Sequence, residues 1–256
     1  IGVVPVLRRP GEPAAAGVIG VAVGTALLPL LSRQIRAGEE AAAATSMNRA
    51  LEFALLLTLP AAAALMVMPD LIVSVLFERG EFGAGETAAT SAALAAYALG
   101  LPAYVLIKVL APGYFAREDT ATPVKVAAFC VAINLVLNLA LMGPLQHVGI
   151  ALATAISAWI NAGLLALFLL RRGNFEIDSR LRRAVPRTLL ASVAMAGALW
   201  LAQDTLGGFA ATNVLLAVFV LVALVVLGLV VFAGAAVGFG AARISDIKRL
   251  LDRSPG

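Results

Sequence analysis

Polar residues come in short bursts along this chain, and the bursts cut it into apolar lengths that match the thickness of a bilayer. Seven such segments stand out: Ala14–Leu31, Ala50–Met68, Ala88–Phe115, Val124–Met142, Val148–Leu170, Thr188–Ala202 and Val214–Val237. About 20 apolar residues cross a hydrocarbon core as a helix, so each segment predicts one span. The first and sixth are short or weakly apolar, and the third is long enough to tilt or to run past the interface. Pro29, Pro60 and Pro102 fall inside these runs, where a kink is tolerated if neighbouring groups re-satisfy the backbone. The runs are too long and too uncharged for barrel strands, which alternate in units of about 10 residues. The expected fold is therefore all-α, a polytopic membrane bundle of about seven transmembrane helices.

The bursts also alternate in charge. One set carries Arg33 and Arg36, then Arg117 and Lys125, then Arg171, Arg172, Arg180, Arg182, Arg183 and Arg187, and the tail adds Arg243, Lys248, Arg249 and Arg253. The intervening loops, Phe77–Thr87, Gly143–His147 and Gln203–Asn213, carry only Arg79. Basic loops stay on the cytoplasmic side, which puts the C-terminus in the cytoplasm of a plasma (inner) membrane protein. Residues 172–187 read as a basic cytoplasmic linker that anchors on anionic lipid. Residues 188–237 read as two accessory or lipid-facing spans, in which Gly228 and Gly234 could allow close helix contact. The tail, 238–256, has Ile244, Ile247, Leu250 and Leu251 at helical spacing, which suits either a surface amphipathic helix or a frayed end.

Composition supports this picture. Of the 256 residues, 61% are hydrophobic and 13% charged, against about 45–50% and 25% in soluble domains. The pI near 9.7 does not imply nucleic acid, because the basic residues sit beside apolar runs without a basic tract or aromatic platform. The lone cysteine, Cys130, lies in an apolar run and reads as packing. The chain starts at Ile1 without a cleavage pattern and reads as a fragment.

Few residues offer chemistry. Lys108 sits in the third span, nine residues before Arg117, roughly 13 Å along a helix. That depth is hard to snorkel from, so Lys108 is a candidate for a cavity that holds an anionic headgroup such as pyrophosphate. Arg49 and Glu52, spaced i, i+3, can pair on one helix face; Arg49 is a second, weaker cavity candidate beside the structural reading. Asn134 and Asn138 share a face of the fourth span. The Gly143–Gly149 turn brings Thr154 of the fifth span alongside. Two amide oxygens, a hydroxyl and a backbone carbonyl could surround a hard cation, or simply bond the two helices together. No catalytic His, Cys or Gly-rich motif can be assembled, and no catalytic site is expected. His147 reads as a solvated turn residue. Glu78, Glu81 and Glu86 in an outer loop are the one place where a glycosyltransferase acid and base could be imagined.

Four stretches carry a family resemblance: GVIGVAVGTALLPLLSR (Gly17–Arg33), VLFERGEFGAGET (Val75–Thr87), LPAYVLIKVLAPGYFAREDTATPVK (Leu101–Lys125) and GPLQHVGIALATAISAWINAGLL (Gly143–Leu165). Together they resemble the C-terminal half of the MurJ/MviN lipid II flippases, within the superfamily that includes MATE exporters. The resemblance implies a fourteen-helix transporter in two lobes, of which these spans are the eighth to fourteenth and residues 17–171 the C-lobe bundle. It implies transport of lipid II, a polyprenyl-pyrophosphate peptidoglycan precursor, by alternating access. The partners it implies are lipid II, bilayer lipids and the missing N-terminal lobe. Some family members hold sodium between the eleventh and twelfth helices, with help from a carboxylate on the seventh. Asn134, Asn138, the Ile150 carbonyl and Thr154 fall on those positions. Asn138 stands where such a site can have aspartate, which weakens the expected binding.

Residues 1–16 depart from the family. Leu7–Gly17 reads LRRPGEPAAAG, where the family has an arginine-bearing helix start of the type Tyr-Ala-Asp-Arg. One codon choice read a nucleotide later restores that motif, so a local frameshift is expected, and resequencing the coding DNA would test it. The alternatives are another lipid-linked oligosaccharide flippase, a MATE-like antiporter, a membrane glycosyltransferase, or a non-transporting remnant. The fragment alone is not expected to flip lipid.

Overall fold

Apolar runs of this length satisfy their backbones internally in lipid only as helices, and the computed structural model is helical throughout its regular elements. It describes residues 19–79, 81–210 and 213–240, without the side chains of 19–26 and 207–210. The frameshifted start and the amphipathic tail expected from the sequence lie outside the described residues. The elements are α1 (Ile19–Arg36), α2 (Glu40–Val67), α3 (Pro69–Phe77), α4 (Ala84–Phe115), α5 (Ala121–Arg171), α6 (Ser179–Ala210) and α7 (Val214–Gly238). Among the described residues, α2, α4, α5, α6 and α7 are long and apolar enough to cross a membrane.

The 51 residues of α5 are two spans folded into a hairpin. Gln146, with φ 49° and ψ −129°, breaks the helix just after Pro144. The arms, 121–145 and 147–171, then run antiparallel. Ser157 Oγ donates to the Cys130 carbonyl at 2.8 Å, which ties residues far apart in sequence across the fold. A methyl group on Gly149 would stand 2.3 Å from the Leu141 carbonyl oxygen, so only glycine lets the chain double back here. The turn expected at Gly143–Gly149 is therefore present, and both predicted spans lie inside one hairpin.

Two boundaries differ from expectation. α3 is an additional helix, started by Pro69 at its first turn, a position that suits proline because its missing N–H would be unpaired anyway. The stretch 172–187, expected as a linker, is helical from Ser179 onward. Asp178 Oδ1 accepts the Leu181 N–H at 2.6 Å, satisfying one of the free donors of that helix start.

α4 and the α5 hairpin pack closely through small residues. Ala103, Ala158 and Ala162 form a buried seam, and a Cβ on Gly100 would come within 2.9 Å of Ala155 Cα. Small residues let helix backbones approach where lipid supplies no hydrophobic drive. A larger core at one end joins Leu31, Met47, Val109, Tyr114, Leu169 and Leu181, with Tyr114 Oη donating to the Leu165 carbonyl at 2.5 Å. α6 is not merely lipid-facing. Leu181 belongs to that core, and Met195 and Leu199 meet Met68, Val220 and Leu224 in a second one. Gly228 lies in ordinary contact with Leu199, whereas Gly234 has nothing near it.

Candidate functional site

Lys108 lies on an open strip of α4, in the half of the helix that is largely enclosed. Between Gly100 and Phe115 of α4, only Lys108 and Phe115 are exposed. At 100° per residue, Thr90, Tyr97, Tyr104 and Lys108 fall within an arc of about 40°. Tyr97 and Thr90 are exposed and Tyr104 is half-buried. Tyr97, Tyr104 and Lys108 have no hydrogen-bond or ion-pair partner among the described residues. The two tyrosines escaped the sequence reading, although their positions eleven and four residues before Lys108 were there to be found.

The other exposed surfaces differ in kind. The first arm of α5 presents Val124, Phe129, Val131, Leu135, Val136 and Leu139, and α7 presents Leu215, Phe219, Leu229 and Val230. Beyond Lys125 at the start of the first arm, these faces are hydrocarbon and suit acyl chains. An ammonium or phenol without a partner is costly in hydrocarbon. The α4 strip therefore requires water or a polar partner.

Arg49 sits elsewhere. Its guanidinium is taken up by Glu52 and Asp178, and Arg180 Nε reaches Glu52 at 3.0 Å. Beside it, buried Asn48 donates to the Glu176 carbonyl at 2.8 Å and accepts the Asp178 N–H at 3.3 Å. This cluster fastens residues 176–181 to α2. Arg117 does the same for three segments, donating to Glu40, to the Asn174 carbonyl at 3.0 Å and to the Gly113 carbonyl at 2.9 Å. Arg172 pairs with Asp119 at 2.6 Å and reaches Thr122 Oγ1 at 3.1 Å. Hydrogen bonds from Thr122, then the Arg172 guanidinium, hold the Asp119 carboxyl down to about 2. Among the described residues, the loops at 37–39, 116–120 and 172–178, whose flanks read as basic from the sequence, thus meet at one end of the bundle.

The cation candidates do come together. Asn138 Nδ2 donates to Asn134 Oδ1 at 3.0 Å, Asn134 Nδ2 to Thr154 Oγ1 at 3.4 Å, and Thr154 Oγ1 to the Ile150 carbonyl at 2.8 Å. Asn138 Oδ1 is buried and accepts nothing from the described residues. The donors are all neutral oxygens, a set that fits a hard monovalent cation, with less attraction than a carboxylate would give. At the opposite end from the arginines, two of the three imagined catalytic glutamates, Glu86 and Glu78, have local structural partners. Glu86 Oε2 accepts the Gly83 N–H at 3.0 Å, and Glu78 Oε2 accepts from Thr87 Oγ1 at 3.3 Å.

A sequence model of the family described as "Lipid II flippase MurJ" matches residues 14–221. The chain belongs to the MurJ family. A relative from Rhizobium meliloti (strain 1021), named "Probable lipid II flippase MurJ", is 50% identical over 190 residues, covering 74% of this chain and 36% of that protein. A relative of the same name from Rickettsia prowazekii (strain Madrid E) is 36% identical over 178 residues, 70% of this chain and 35% of its own length. A solved structure titled "Lipid II flippase MurJ, inward closed conformation" superposes with a TM-score of 0.70 at 25% identity, over 93% of this chain and 45% of that one. The chain thus spans about a third of the length of the curated MurJ relatives it matches. Its long apolar helices and its family make it a membrane protein.

Proposed function

We propose that this chain forms the C-terminal half of a flippase that carries lipid II, an undecaprenyl-pyrophosphate glycolipid, between the leaflets of a bacterial inner membrane. The observation that carries this reading is the polar strip on α4. Lys108, Tyr104 and Tyr97 line the wall of a wet cavity that is closed by an N-terminal lobe. Lys108 meets the pyrophosphate as a compact cation with three donors, while the polyprenyl tail stays in the bilayer. The two lobes rock about this wall, which faces the cytoplasm and then the outside. The arginine-rich end lies in the cytoplasm, in keeping with the distribution of basic loops.

Asn134, Asn138, Thr154 and the Ile150 carbonyl would hold a sodium ion across the α5 hairpin. A bound cation would draw the two arms together. The chain's own contribution is the buried, unpartnered Asn138 oxygen. A sodium-dependent rise in thermal stability that Asn138→Ala removes is the expected sign.

The transport reading is tested by a chimera. The matched segment of the Rhizobium meliloti relative is replaced by this chain, and labelled lipid II is followed in proteoliposomes. Transport is expected, and Lys108→Met should reduce it about a hundredfold, a barrier change of roughly 2.7 kcal/mol. Undiminished transport by folded Lys108→Met overturns the role of the strip. Transport of a different polyprenyl-linked glycan, with lipid II refused, overturns the substrate.

A further inference from the structure

One turn near the middle of α4 is weakened. Pro102 is set into the continuous helix. It has no N–H to give the carbonyl four residues earlier, that of Ala98, and its ring crowds that carbonyl. Gly100 stands in the same turn, where a Cβ would come within 2.9 Å of Ala155 Cα and 3.0 Å of Tyr104 Cε2. Backbone groups loosened by a proline in lipid are taken up by neighbouring helices. Here the neighbour is Trp159, in the second arm of α5. Its Nε1 donates to the Leu99 carbonyl at 2.9 Å, one residue along from Ala98.

The depth of this pair is unusual. Trp159 is the middle residue of the arm 147–171, and Leu99 is the sixteenth of the 32 residues of α4. Tryptophans of membrane helices gather at the interfaces, where the indole N–H meets water. Trp159 is 44% exposed, and at mid-depth its N–H depends on an acceptor from the protein. Leu99 supplies it. The same turn divides the polar strip: Tyr97 lies before Pro102, and Tyr104 and Lys108 lie after it. The eleven residues from Tyr97 to Lys108 span roughly 16 Å of straight helix, and a bend at Pro102 changes that separation. Tyr104 is coupled to the turn a second way. Its ring edge lies over Gly100, where Ala155 also approaches. Ala155 and Trp159 are four residues apart and share a face of their arm, so the Trp159 bond fastens the turn against which Tyr104 is set.

We infer that Trp159 is a positioning residue for the α4 strip. Its indole N–H holds the Leu99 carbonyl and keeps the proline-weakened turn in one shape against α5. That shape fixes how Tyr97, Tyr104 and Lys108 are spaced toward a bound headgroup. Loss of the bond lets the two halves of α4 pivot at Pro102. The consequence for transport rests on the function proposed for the strip, whereas the hold on the turn is a property of the fold alone.

Thr90 and Phe115 are both exposed and flank the turn; they lie on one side of the helix, about 38 Å apart if it is straight. Cysteines at these two positions are spin-labelled in the chimera, with Cys130→Ala and any cysteines of the relative removed. Pulsed electron–electron double resonance in nanodiscs then gives the distance distribution. The parent should show one narrow distance. Trp159→Phe keeps an aromatic ring and removes the N–H, and it should broaden the distribution or add a second population. Pro102→Ala combined with Trp159→Phe should restore the narrow distance, because a helix with its own bonds complete needs no outside donor. Trp159→Phe should also lower lipid II transport about tenfold, the effect of one lost hydrogen bond, with the loss mainly in KM. Melting temperatures check that each variant is folded. An unchanged narrow distance in Trp159→Phe, a broadening that persists in the double variant, or undiminished transport by Trp159→Phe overturns the proposal. Undiminished transport by Lys108→Met overturns the role of the strip instead, and the distances still decide whether Trp159 holds the turn.

Discussion

The arginine-rich end of the bundle and the strip along α4 use polar side chains in opposite ways. At the arginine-rich end, Arg49, Arg117 and Arg172 each meet a carboxylate, and two of them also bond to a neighbouring carbonyl or hydroxyl. The strip carries Tyr97, Tyr104 and Lys108 with no partner among the described residues. Satisfied charges hold segments together and report on topology and stability. Unsatisfied polar groups within the depth of a membrane need something from outside the fold, and so they report on function. The depth of a charge in the sequence is a weaker guide than whether its bonds are already made.

The difference can be attacked from both sides. Lys108→Met in the chimera should remove nearly all transport while the melting temperature stays within a degree or two, measured by transport assay and thermal unfolding in detergent. Asn48→Ala should do the reverse. Asn48 is 1% exposed and serves two carbonyls and an N–H, so the cost should be about 2 kcal/mol of stability, with transport per folded molecule unchanged. Arg117→Met should cost about 1–2 kcal/mol, because its carbonyl bonds are partly shielded while its partner Glu40 is largely in solvent.

The smallest effect belongs to Asp119, whose pairing with Arg172 is exposed. Its carboxyl titrates lower in the folded protein, at about 2 against an ordinary 3.8. The stabilisation is therefore fully present above pH 4 and is lost as the pH falls toward 2. Asp119→Asn should cost at most about 1 kcal/mol after screening. The gap in melting temperature between the variant and the parent should close between pH 4 and pH 2.

Much of this was legible in the chain itself. Apolar length gave the spans, and alternating charge gave the two ends, because both are local properties of a helix in a bilayer. The Asn134–Asn138–Thr154 grouping was legible too, since a short turn fixes the register of the two arms. α3 was missed because Met68 and Pro69 interrupt no apolar run. A proline at the first helical turn was the available sign. The start of α6 was read as linker because its first residues are basic, although Asp178 is a helix-start signal. Long-range pairings were out of reach. Nothing local tells Arg49 that its second carboxylate lies 129 residues away. That pairing accounts for Arg49 as a structural junction and leaves Lys108 as the proposed cavity residue.

The central claim is that the α4 strip is wet while the exposed apolar faces are covered by acyl chains. Cysteine labelling measures this directly. In the chimera, with Cys130→Ala and any cysteines of the relative removed, single cysteines are placed at position 108 on the strip and at position 135 on the first arm of α5. Both are treated with a charged, membrane-impermeant thiol reagent. Rapid modification at 108 and none at 135 is the expected result. Equal inertness at the two positions would place Lys108 against lipid and contradict the account.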